Sequence, residues 1–136
     1  MSDVRQRILV VDDQAGIREL AELVLQRAGF DVHAAGSGAE ALAWLGGESC
    51  GLVLLDISMP GMDGWETLRL IRADDALAAL PVVMFSIKGE LRDKLHALQR
   101  GATDYVTKPF QVDELVARVR RVLERAPARR AGSAGA

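Results

Sequence analysis

The sequence predicts a doubly wound α/β sandwich, and three observations carry that prediction. Short apolar runs such as Ile8-Leu9-Val10-Val11, Leu52-Val53-Leu54-Leu55 and Val82-Val83-Met84-Phe85 are too short for helices and rich in branched side chains, so they read as strands buried on both faces. Stretches of helical period alternate with them, at a spacing that calls for crossover connections and hence a parallel sheet with right-handed turns. The runs stop abruptly at polar residues, namely Asp12-Asp13, Asp56 and Ser86.

Each element follows in order. After the first strand, Ile17, Leu20, Ala21, Val24, Leu25 and Ala28 recur at the spacing of one helix face, and Gly29 ends that helix. Val32 to Ala35 is a weaker strand. Ser37 caps a short helix through Ala41, Leu42 and Leu45 that stops at Gly46-Gly47. The Leu52 to Leu55 strand leads into Asp56-Ile57-Ser58-Met59-Pro60-Gly61-Met62-Asp63-Gly64, where Pro60 and Gly61 shape a rigid loop and Asp63 caps a helix carrying Trp65, Leu68 and Ile71. Pro81 precedes the fourth strand. A helix with Leu91, Leu95 and Leu98 closes at Gly101, and Asp104 to Thr107 forms a fifth strand that ends at Lys108-Pro109. The last helix carries Val112, Leu115, Val116, Val119, Val122 and Leu123. Residues 1–125 are expected to form one domain. Residues 126–136, without periodicity or bulky apolar side chains, are expected to be a disordered tail.

Bulk properties narrow the function. The chain has 136 residues, 17 basic and 19 acidic, with a formal net charge of −2, so no global field attracts nucleic acid or anionic lipid. Cys50 is the single cysteine, which excludes an internal disulfide and reads as a packing residue. The segment Met1 to Arg7 offers neither a signal peptide nor a membrane span, so a cytoplasmic protein is expected.

In a parallel sheet all carboxyl ends lie on one edge, so Asp12, Asp13, Asp56, Ser86 and Lys108 are delivered to one rim, where open α/β sheets place their chemistry. Carboxylates gathered there repel; at ~4 Å and an effective dielectric of ~20 each pair costs roughly 4 kcal/mol. Lys108 answers part of that, and the remainder is what a hard divalent cation takes, with oxygen ligands and waters. Magnesium suits the set better than zinc because no His or Cys belongs to it. A cation, an ammonium and a hydroxyl around a carboxylate make a phosphoryl-binding arrangement, and a carboxylate can itself be the nucleophile.

Taken together and in this order, the acid pair Asp12-Asp13, the run from Asp56 to Gly64, Ser86 after the fourth strand and Lys108-Pro109 resemble the receiver domain of the two-component response regulators, over roughly residues 7 to 125. The likeness is to the single-domain, chemotaxis-regulator-like members. It implies a flavodoxin-like sheet of order 2-1-3-4-5 with five helices. It also implies a role for each matching position. Asp56 would accept a phosphoryl group from a sensor histidine kinase or phosphotransfer protein. Asp13, Asp56 and the Ser58 backbone carbonyl would bind Mg²⁺, with Asp12 acting through a water. Lys108 and Ser86 would meet phosphoryl oxygens, Tyr105 would turn inward behind Ser86, and the Lys108-Pro109 bond would be cis. The readout would be the face of the fourth helix, fifth strand and fifth helix, offered to an output protein or to a second copy, with no direct contact to nucleic acid or membrane.

Ile87 departs from the resemblance, because a small residue is usual there. Its bulk is expected to slow phosphoryl chemistry, and Lys88 beside it is expected to lie in solvent. This keeps a second reading open, a receiver-like scaffold that acts without phosphorylation. A third, a Mg²⁺-dependent aspartyl phosphohydrolase of the haloacid dehalogenase type, needs an acid two residues after the nucleophile, and Ser58 and Gln14 stand there instead. The protein is therefore expected to be a switch and not a turnover enzyme. Plainer roles are expected for Met59 and Met62 (packing), Asp63 (cap), His33 and His96 (structural or solvated), and Trp44 and Trp65 (helix-to-sheet packing, with Trp65 near enough to the acids to report magnesium).

Overall fold

A computed structural model describes residues 6–87 and 91–125. The expectations for Lys88 and for the 126–136 tail lie outside the described residues. Ten elements alternate: β1 (Arg7–Val11), α1 (Ala15–Arg27), β2 (Asp31–Ala35), α2 (Gly38–Leu45), β3 (Leu52–Asp56), α3 (Gly64–Ala73), β4 (Val82–Ser86), α4 (Leu91–Gln99), β5 (Asp104–Thr107) and α5 (Val112–Glu124). The strands form one parallel sheet in the order β2-β1-β3-β4-β5.

The two-residue period of each strand divides the core. Ile8, Val10, Leu52, Leu54, Val83 and Phe85 point to the layer of α1 and α5, where they meet Leu25, Leu115 and Val119. Leu9, Val11, Val53, Leu55, Val82 and Met84 point the other way, to Ala41, Leu68, Ile71 and Ala97 of α2, α3 and α4. β3 and β4 are buried along their whole length, which explains why they read as unbroken apolar runs. Cys50 is buried, in keeping with a packing role.

The predicted caps are in place. Ser37 Oγ accepts from the Glu40 amide at 3.1 Å, and Asp63 Oδ1 accepts from the Glu66 amide at 2.9 Å. Gly29 adopts φ +103° directly after α1, where its lack of a Cβ matters. At the amino-terminal end of the sheet, Arg72 of α3 donates to three carbonyls: Gly101 at 2.9 Å, Leu80 at 2.7 Å and Ala78 at 3.2 Å. Arg72→Met keeps most of the aliphatic stem and leaves those acceptors without their donor. It is expected to destabilise the fold by about 2–3 kcal/mol, read as a lower urea midpoint at unchanged slope.

Among the described side chains of α4, Ala97 is the fully buried one, while Leu95 and Leu98 are 49% and 47% exposed; the side chain of Leu91 lies outside the described residues. The leucine spacing defines a stripe but not the side to which the helix turns it. Ala97, with its small side chain, faces the sheet, and Leu95 and Leu98 face outward. α4 also meets α3 through Trp65, whose ring has His96 edge-on at 4.9 Å and the Arg100 guanidinium at 5.5 Å. His33 stacks on Trp44 at 4.5 Å, so both histidines take the structural roles expected of them.

Candidate functional site

The rim at the carboxyl ends of β1, β3, β4 and β5 is built by chain geometry. β1 ends at Val11, opposite Leu55, so the next residue, Asp12, stands beside Asp56. Asp56 is in register with Phe85, and Ser86 with Thr107, which places Lys108 at the same edge. The Lys108 amide donates to the Ser86 carbonyl at 2.8 Å, and the Lys108-Pro109 bond is cis, as the resemblance implies.

Lys108 is the hub. Its Nζ lies 2.8 Å from Asp12 Oδ2 and 3.2 Å from Asp56 Oδ1, and 4.6 Å from the centroid of the Phe85 ring beneath it. Asp12 is fully buried, and Asp56, Ser86 and Lys108 are nearly so. Asp13 is exposed, yet its carboxylate and those of Asp12 and Asp56 bring one oxygen each within 4.8 Å of one another. Asp12 is the best satisfied of the three, because its second oxygen accepts from the Gln14 amide at 2.9 Å.

This crowding marks Asp56. Its carboxyl is pushed up to about 6, first by burial and then by the neighbouring Asp12 charge, with Lys108 pulling the other way. A buried acid with one ammonium shared between two carboxylates is under-neutralised, and that deficit is the test for a cation. The donors are all oxygen, with no imidazole or thiolate among them, and Asp13 leaves the approach open. The set fits a hard divalent ion.

Ser86 and Tyr105 form the second part of the site. Tyr105 is 3% exposed, so its ring is turned inward as expected. Burial raises its phenol above the usual range, and a side-chain hydrogen bond with Ser86 opposes that rise. Ser58 is exposed on the loop after β3, while Met59 is buried beneath it. Ile87 is 73% exposed at the rim, so its bulk stands in solvent beside the site and does not fill it.

Three features went unforeseen in the sequence. Gly64 presses on the backbone of Asp56 and Ile57, Phe85 floors the lysine, and Arg18 donates through Nη1 to the Asp12 carbonyl at 2.8 Å. None of the three has a signal in the sequence, since Arg18 stands one turn into the helix after the acid pair as any charged residue of that helix could.

The comparisons agree with this architecture. Residues 8–120 match the family model described as the response regulator receiver domain. The DNA-binding response regulator MtrA of Mycobacterium tuberculosis is 45% identical over 125 residues, which cover 92% of this chain and 54% of MtrA. The chemotaxis response regulator structure from Vibrio cholerae superposes with a TM-score of 0.83 at 30% identity, covering 88% of this chain and 99% of that one. The receiver domain of NtrX from Brucella abortus gives 0.80 at 38% identity, covering 87% and 98%. The chain thus spans about half the length of the curated relatives it matches. With its sheet order, its converging acids and lysine, and a family match over most of its length, this chain belongs to the response regulator receiver domains of two-component signalling.

Proposed function

We propose that Asp56 is the phosphoacceptor of a Mg²⁺-dependent switch, and that residues 7–125 are the receiver unit that carries it. The observation that supports this most is the Lys108 ammonium bridging Asp12 and Asp56 at 2.8 and 3.2 Å beside an open third carboxylate. An Asp56 oxygen attacks the phosphorus of a phosphohistidine on a sensor kinase or phosphotransfer protein. The new O–P bond forms as the P–N bond breaks, and the departing imidazole keeps the electron pair and takes up a proton. Asp13, Asp56 and the Ser58 backbone carbonyl would hold Mg²⁺, with Asp12 acting through a water. The ion supplies charge neutralisation for the transferring oxygens. Lys108 and the Ser86 hydroxyl receive the phosphoryl oxygens, and the protein releases the group slowly and does not turn over esters.

Signalling then rests on differential contact. A phosphoryl group that meets Ser86 and Lys108 in one loop arrangement favours that arrangement, and Tyr105, bonded to Ser86, moves with it. The exposed Leu95 and Leu98 of α4 support the α4-β5-α5 face as the readout surface, offered to an output protein or a second copy. MtrA is named a DNA-binding regulator. For this chain, with a net charge of −2, we propose a protein partner and no direct nucleic-acid contact. No described helix is long and apolar enough to cross a membrane. The reading is tested by incubation with Mg²⁺ and a small phosphodonor, followed by intact mass. One phosphoryl addition in the native chain and none in Asp56→Asn is expected. Steady phosphate release from esters would favour a phosphohydrolase, and no addition would favour a phosphorylation-independent scaffold.

Protons and Mg²⁺ compete for Asp56. Because the folded carboxyl is raised to about 6, the acid is protonated below that pH and must lose its proton to bind the ion. Apparent Mg²⁺ affinity is expected to fall roughly ten-fold for each pH unit below that value and to level off above it. Calorimetric titrations at about pH 5 and about pH 7.5 check this. Ile87 stands in solvent beside the site, so faster phosphoryl uptake or hydrolysis in Ile87→Ala would show that it narrows the approach, and equal rates for the two proteins would remove any gating role for it.

A further inference from the structure

We infer that Arg18 is a positioning residue for the metal-binding acids, holding the Asp12-Asp13 peptide plane from behind so that Asp13 is aimed at the ion. The inference rests on the Mg²⁺ reading above and goes beyond it, because Arg18 touches neither the ion nor the phosphoryl group.

The Asp12 amide makes the last bond of β1 toward β2, to the Ala35 carbonyl at 3.1 Å, and beyond it the chain turns into α1 without further strand pairing. Two contacts take over, one from the residue that precedes α1 and one from its first turn. The Gln14 amide donates to Asp12 Oδ1 at 2.9 Å, and Arg18 Nη1 donates to the Asp12 carbonyl at 2.8 Å. The first fixes the Asp12 side chain, which Lys108 also holds. The second fixes the peptide. The Asp12 carbonyl and the Asp13 amide share one rigid plane, so anchoring the oxygen fixes the plane in which the Asp13 Cα lies and from which its side chain departs. Asp13 needs this because its side chain is exposed at the open edge of the acid cluster.

The lane for Arg18 is also built. A Cβ placed on Gly36 would lie 3.5 Å from Arg18 Nη1 and 3.5 Å from Glu40 Oε1, and Glu40 is held in turn by the Gly36 amide at 2.8 Å. Gly36 thus leaves room for the guanidinium to cross the β2-α2 loop. An alanine would only touch it, whereas a longer side chain would displace it.

Charge and positioning predict opposite outcomes. A cationic guanidinium near the acids repels Mg²⁺, so if charge alone mattered, Arg18→Gln would bind Mg²⁺ more tightly. Positioning predicts weaker binding, because Asp13 must then be ordered by the ion itself. Mg²⁺ is titrated calorimetrically into the native chain, Arg18→Gln, Arg18→Lys, Gly36→Leu and Gly36→Ala, each first checked for native circular dichroism and urea midpoint. We expect affinity to fall roughly ten-fold in Arg18→Gln, the scale for residues that orient metal ligands, with partial rescue in Arg18→Lys. Gly36→Leu should reproduce the loss with Arg18 intact, and Gly36→Ala should bind as the native chain does. Unchanged or tighter binding in both Arg18→Gln and Gly36→Leu overturns the role of Arg18 while leaving the site intact. A native chain that binds no Mg²⁺ overturns the metal reading itself.

Discussion

Gly64→Ala is expected to cost about 2–4 kcal/mol of stability and to cut Mg²⁺-dependent phosphoryl uptake by at least ten-fold. An added Cβ would lie 2.7 Å from Ile57 Cα, closer than such atoms come in folded proteins, and 3.0 Å from the Asp56 carbonyl carbon, tighter than most such contacts. Both neighbours are backbone, so no side chain can swing aside. The contact is this close because the Gly64 amide donates to the Ile57 carbonyl at 2.8 Å and draws the start of α3 onto the end of β3. Relief requires the helix to retreat or Asp56 to shift, and a shift of about 1 Å in a reacting group can cost on the order of a hundred-fold in rate. The urea midpoint and the initial rate of phosphoryl labelling check the two halves. A variant with both unchanged would show that the loop gives way without moving Asp56.

Lys108→Met should have the other large effect, and its pH dependence identifies the cause. Removing one partner of a buried charge cluster typically costs about 3–5 kcal/mol, because the remaining charges are left uncompensated. Here those charges are Asp12 and Asp56, which the ammonium holds at 2.8 and 3.2 Å. The sign follows from Asp56. Its folded carboxyl already lies above its ordinary value, at about 6, so ionising it disfavours the fold. The associated stability is present at low pH and is lost as pH rises through about 6. Without Lys108 that carboxyl should rise further. In the metal-free variant, stability should therefore recover on acidification from about pH 7 to about pH 5, where the native chain changes less. Thermal midpoints across that range read the effect, and a uniform offset at all pH values would mean that Lys108 acts through packing on Phe85 alone.

What could be read from sequence, and what could not, follows from the kind of information each feature needs. β3 and β4 were legible because burial on both faces leaves only apolar residues, and the polar residue that ends each run marks the rim. The convergence of Asp12, Asp13, Asp56 and Lys108 then follows from parallel topology, since every carboxyl end shares one edge. α4 was legible as a helix but not in orientation. Leu95 and Leu98 are half-exposed and Ala97 is buried among the described side chains, a choice of face that the apolar spacing alone does not reveal. Gly64 reads as a turn glycine in sequence, while its actual constraint is the backbone of Asp56 across a seven-residue loop. Arg18 looks like any charged residue on an amphipathic helix until its guanidinium is seen on the Asp12 carbonyl. Periodicity and strand ends give which elements form and where they terminate. Close approaches between loops depend on how those elements are set in space.

Placement of the phosphoryl group on one particular acid is the point at which the account is most exposed. Borohydride reduction of the chain after treatment with Mg²⁺ and phosphodonor converts an aspartyl phosphate to homoserine, which peptide mass spectrometry locates. The account predicts homoserine at position 56 and at no other acid, and none when Asp56 is replaced by asparagine. Homoserine at Asp12 or Asp13, or labelling that persists without Asp56, would contradict it.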